Sequence, residues 1–99
     1  MAQLLHADGR SEIVAPANGE SFTLQELQRY VGGYIEAIYL RDGCVMLVNE
    51  EAKLREPIPP LNRAATALFW NSGGSVFDCV VGPAILVSRR EAGEDDDEY

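Results

Sequence analysis

Two apolar runs separated by three residues constrain this chain most. Residues 34–40, Tyr-Ile-Glu-Ala-Ile-Tyr-Leu, and residues 44–48, Cys-Val-Met-Leu-Val, flank the triplet Arg41-Asp42-Gly43. Both runs are rich in β-branched and aromatic side chains, which fit a pleated surface. The Asp-Gly pair suits a tight connection, because glycine takes positive φ without a Cβ clash and aspartate tolerates it better than most residues. This segment is predicted to fold as an antiparallel hairpin. A fainter version of the same pattern comes earlier, with residues 4–7, the turn Asp8-Gly9 and residues 10–14.

A short helix is predicted between the hairpins. Thr23 stands at an N-cap position with Glu26 three residues on, a spacing that lets each side chain meet the other's backbone N–H. Phe22 and Leu27 are placed to close a hydrophobic staple over that cap. Leu24, Leu27 and Val31 share one helical face, and Gly32-Gly33 ends the helix where a left-handed residue is wanted. Beyond Val48 the chain turns polar through residue 56, and Pro57, Pro59 and Pro60 exclude both a helix and a central strand. Asn62 is the expected cap of a second helix whose apolar side is Ala64, Ala65, Leu68 and Phe69, closed by Asn71-Ser72-Gly73-Gly74. Residues 76–87 form a last apolar segment, broken at Asp78 and at Gly82-Pro83, where a bulge, a bend or an edge is expected. The order β-β-α-β-β-α-β-β predicts an α+β fold. It should hold an antiparallel or mixed sheet of about five or six strands, with two short helices packed on one face.

Ninety-nine residues, 46% hydrophobic and 24% charged, suit one globular domain. The net charge of −8 is uneven, because six of the sixteen acidic residues fall between Glu91 and Glu98. Residues 1–88 are therefore expected to fold, and residues 89–99 to form a disordered acidic tail that mainly confers solubility. The bases are scattered, with only Arg89-Arg90 adjacent, so direct nucleic-acid binding is not expected. No stretch is long and apolar enough to span a bilayer, and the N-terminus lacks the pattern of a signal peptide. A cytoplasmic protein with no membrane partner is the expectation.

Five pieces of the chain carry a resemblance: Phe22-Thr23-Leu24-Gln25-Glu26-Leu27, Val31-Gly32-Gly33-Tyr34-Ile35-Glu36, Val48-Asn49-Glu50-Glu51, the stretch Pro59-Pro60-Leu61-Asn62-Arg63-Ala64-Ala65-Thr66, and Val81-Gly82-Pro83. In this order they resemble a small uncharacterised family of phage- and plasmid-encoded proteins, over roughly residues 1–88. The resemblance implies the product of a mobile element at work inside a bacterial cell, and it brings no activity with it. The acidic tail departs from the pattern.

Catalysis should leave a constellation of side chains, and little of one is visible. His6 is the sole histidine, and with two distant cysteines it does not supply a zinc site. Cys44 and Cys79 both fall in predicted strands and are expected to be buried, reduced thiols. The carboxylates of greatest interest are Glu36, Glu50 and Glu51. An antiparallel hairpin brings Asn49-Glu50-Glu51 back beside Gly32-Gly33-Tyr34, and Glu36 shares a face with Tyr34. Asn62 and Arg63 start the second helix, where a helix N-terminus can meet an anion. Trp70 is a candidate interface anchor.

These residues support three readings, with no cofactor or metal expected. The first is a non-enzymatic binding protein acting on a host protein, plausibly an inhibitor of a bacterial defence system. The second is a nucleotide-like ligand site formed by Tyr34, Asn49, Glu50, Glu51 and Arg63. The third is a Mg²⁺-dependent phosphoesterase using Glu36, Glu50 and Glu51. An unpaired edge on the second hairpin or the last strand would also admit a homodimer.

Overall fold

A computed structural model of the chain describes residues 2–94. Five strands, β1 (Ala2–Leu5), β2 (Ser11–Val14), β3 (Ile35–Tyr39), β4 (Val45–Asn49) and β5 (Ala84–Val87), form one sheet. Its order is β2-β1-β5-β4-β3, and every neighbouring pair is antiparallel. Helix α1 (Leu24–Val31) and helix α2 (Arg63–Asn71) complete the α+β architecture, with a single 3-10 turn at Ala52–Leu54.

Both hairpins form where the Asp-Gly pairs place them. In the second, Leu40 N–H donates to the Cys44 carbonyl and Gly43 N–H to the Leu40 carbonyl, closing the three-residue loop. Helix α1 also forms as expected. Thr23 and Glu26 exchange both capping bonds, and Gly32 ends the helix at φ 85°, a left-handed conformation costly for any residue with a Cβ.

The two helices lie on opposite faces of the sheet rather than sharing one. Val45 and Leu47 of β4, with Ala2, Leu4, Ile85 and Val87, pack under α1 against Phe22, Leu27 and Val31. Met46 and Val48, with Leu5 and Ala84, pack under α2 against Ala65, Leu68 and Phe69. All five β4 residues are buried, because alternate side chains enter opposite cores.

Several local expectations change as well. Leu24 stays 58% exposed, and Phe22 and Tyr30, in edge-to-face contact, fill the core beside Leu27 instead. Ala64 is exposed on α2. Only residues 84–87 of the last apolar segment join the sheet, apart from one isolated bridge between Leu61 and Val81, so that segment gives one strand where two were expected, and among the described residues the sheet has five strands, within the five or six expected. The last strand is the central one, flanked by β1 and β4, and offers no edge; the edges are β2 and β3. Cys44 and Cys79 lie outside the strands, both half-buried and reduced.

The folded body continues past residue 88. Ser88 and Glu91 exchange backbone-to-side-chain bonds of 2.9 and 3.0 Å, Phe22 N–H donates to the Glu91 carbonyl, and Ala92 packs on the α1 core. The Tyr39 hydroxyl donates to Glu94, and Arg89 lies over the Tyr39 ring while pairing with Glu94. Local capping and one apolar contact thus outweigh the charge repulsion expected of residues 89–94. The expectation of disorder for residues 95–99 lies outside the described residues.

Candidate functional site: a cleft on the α2 face

On the α2 face, strands β3 and β4 leave a cleft of about 200 Å³ against residues 78–81. Ile38, Val48, Phe69, Val80 and Val81 supply apolar lining, while Glu36, Asn49, Glu50, Lys53, Asp78 and Cys79 supply polar groups. Each wall is fixed from behind. Thr66 Oγ1 donates to the Val80 carbonyl at 3.3 Å and accepts from the Val80 N–H at 2.9 Å, so a helix side chain stands in for a strand neighbour. Asn62 N–H donates to the same carbonyl. Gly74 lets the turn after α2 close onto Phe69, since a Cβ there would stand 2.5 Å from the ring.

Asp78 is the pivot of the rim. Its carboxylate accepts from Lys53 Nζ and from the Cys79 N–H, and these bonds hold its acidity below the usual carboxylate range, the lysine contributing most. Its carbonyl accepts the Trp70 indole N–H at 2.8 Å. Trp70 is thus oriented while its ring stays 44% exposed, beside Val76 at 67% and Phe77 at 98%. Val76 and Phe77 lead directly into Asp78, which holds Trp70, so the chain places these three exposed apolar residues at one corner beside the cleft.

Glu36, Asn49 and Glu50 line the cleft together. Glu50 N–H donates to the Tyr34 carbonyl at 2.8 Å, so the hairpin does return beside the Gly32-Gly33-Tyr34 corner. Tyr34 and Glu51 are exposed and do not line the cleft. Asn49 is buried, donating to the Val31 carbonyl and accepting from the Glu51 N–H. Arg55, which the sequence reading passed over, donates to the Gly32 carbonyl. Together these two side chains cap the C-terminus of α1, and because Arg55 lies 23 residues beyond Gly32 no local pattern marks it for that role.

Asn62 and Arg63 separate. Asn62 is fully buried, with Nδ2 donating to the carbonyls of Leu5 and Gly82 and Oδ1 accepting from the Ala65 N–H. Every polar atom of that amide is engaged inside the fold, which leaves nothing for a ligand. Arg63 is exposed and does not line the cleft. His6 Nε2 donates to Glu12 Oε1 at 2.7 Å across the first hairpin, on a different part of the sheet. Burial, with Asp42 adding to it, pushes the Cys44 thiol up and away from the reactive thiolate. Among the described residues no three His, Cys, Asp or Glu side chains come together in a metal-binding group, and no helix is long and apolar enough to cross a membrane.

These features define a small α+β protein built on one five-stranded antiparallel sheet, with a cleft beneath its second helix. The chain belongs to the family DUF3846, a domain of unknown function, which it matches over residues 2–98. The match extends to residue 98, so most of the acidic C-terminal segment lies within the family's span. No curated protein and no solved structure matches the chain.

Proposed function

We propose that this chain is a non-enzymatic binding protein that engages a host protein through the apolar corner of Trp70, Val76 and Phe77. The observation that carries the reading is Phe77, 98% exposed and adjacent to exposed Val76. Isolated apolar side chains on a surface are ordinary, but Phe77, followed directly by the Asp78 that holds Trp70 beside a polar-rimmed cleft, gives this corner the composition of a binding hot spot. Trp70 is already oriented by its bond to Asp78, so less side-chain freedom is lost when a partner docks.

The resemblance to phage- and plasmid-encoded proteins supports a partner inside a bacterial cell, where blocking a defence system suits a small protein of this kind. The nucleotide reading draws less support. Three carboxylates, Glu36, Glu50 and Asp78, face one ammonium, Lys53, and that balance repels phosphate. The phosphoesterase reading needs Glu51 beside Glu36 and Glu50, and Glu51 does not line the cleft.

Capture from bacterial lysate with the wild-type chain and with Phe77→Asp tests the proposal. The wild type is expected to retain a partner that Phe77→Asp loses by about tenfold or more, at an unchanged urea midpoint. Equal retention by the variant would remove this corner from the interface.

A further inference from the structure

We infer that the cleft receives one basic side chain of the docked partner, an arginine or a lysine, with its stem on the apolar floor and its cationic head between Glu36 and Glu50. The inference rests on the docking corner proposed above and names the chemistry of the residue that sits beside it.

Size comes first. Cavities that enclose small molecules run from about 300 Å³ upward, and this one holds about 200 Å³. That is room for one long side chain. Its lining supplies both kinds of surface that such a chain needs, apolar from Ile38, Val48, Phe69 and Val80 and acidic from Glu36 and Glu50. Arginine and lysine lay their methylene stems on apolar surface while the charged head stays in a polar setting.

Charge decides the sign of the head. Among the described residues, Lys53 is the one cation lining the cleft and it is paired with Asp78. Among the same residues Glu36 and Glu50 enter no ion pair and no side-chain hydrogen bond. Their positions bring them near each other, because Glu36 is opposite Val48 and Glu50 bonds back to residue 34. That makes them diagonal neighbours on the hairpin, where Cα atoms stand roughly 7–8 Å apart and like charges repel. A guanidinium between them would relieve that repulsion with charge-assisted bonds. The net charge of −8 adds attraction toward a basic surface at longer range. Asp78 joins the two sites physically, holding Lys53 at the cleft and Trp70 at the corner.

The test titrates the ¹⁵N-labelled full chain with N-acetyl-arginine methylamide and, separately, with its neutral citrulline counterpart. At millimolar probe the arginine compound is expected to shift the amides of Glu36, Glu50, Lys53 and Cys79. The citrulline compound should leave them in place, and Glu36→Gln/Glu50→Gln should abolish the response. No localised shift, an equal response to citrulline, or a response that survives the double substitution would overturn the inference, as would adenosine monophosphate shifting the same amides. In lysate capture the double substitution is expected to cut partner recovery at least about tenfold. Full recovery by Glu36→Gln/Glu50→Gln alongside loss by Phe77→Asp would overturn the inference while leaving the docking corner in place.

Discussion

Asn62 and Arg63 are neighbours in sequence and opposites in physical role. An asparagine before an apolar helix reads as a cap, and it is one. What sequence could not reveal is the second task of its amide, which supplies both donors to carbonyls of β1 and of the turn before β5. Those partners lie 57 and 20 residues away, and no local pattern encodes such a distance. Removing the amide costs the cap and strands two buried acceptors. Asn62→Ala is therefore expected to lose about 3 kcal/mol of stability, whereas Arg63→Ala should stay within about 0.5 kcal/mol. Urea denaturation of the two variants checks the contrast. Thr66 is a similar case, since its bonds to both polar groups of Val80 fix the cleft wall from a position that reads as an ordinary helical threonine.

Elements with local causes were the most legible ones. The capping box, the glycine stop and the two Asp-Gly turns each act over a few residues, and each appears where the sequence places it. The faces of the sheet were also written in the sequence. Residues 45–48 and 84–87 are unbroken apolar runs with no alternation, and a strand that is apolar on both sides needs a cover on both sides. That requirement divides the helices between the faces. Residues 76–83 misled because, apart from the Leu61–Val81 bridge, Thr66, Asn62 and Trp70 hold them in place of a ladder.

At the start of α1, Glu26 accepts from the N–H groups of Thr23 and Ala17, and these bonds hold its acidity below the usual carboxylate value. A depressed folded value stabilises the protein above the unfolded value, near pH 4.3, and the contribution disappears as pH falls through the folded value. The stability gap between wild type and Glu26→Gln is expected to be widest near pH 7 and to narrow steadily below pH 4. Urea midpoints measured across that range check the sign, and a gap that widens in acid would refute it.

For the molecule as a whole, the distribution of chemistry matters more than its amount. One face of the sheet is sealed by α1, Phe22 and the 88–94 turn, while the other, under α2, keeps a cleft with two carboxylates unpaired among the described residues and an apolar corner beside it. Glu36 and Glu50 were legible from hairpin geometry, whereas Glu51 does not line the cleft and Asp78, outside the hairpin, does. The corner was not legible, because Val76 and Phe77 read as strand residues until the register of β5 excluded them. The most direct measurement places a photo-crosslinking amino acid at position 77, and in a second sample at position 19 in the loop before α1, and irradiates each in bacterial lysate. Docking through the corner predicts one discrete adduct from position 77 and none from position 19. Adducts of equal yield from both positions, or from position 19 alone, would contradict it.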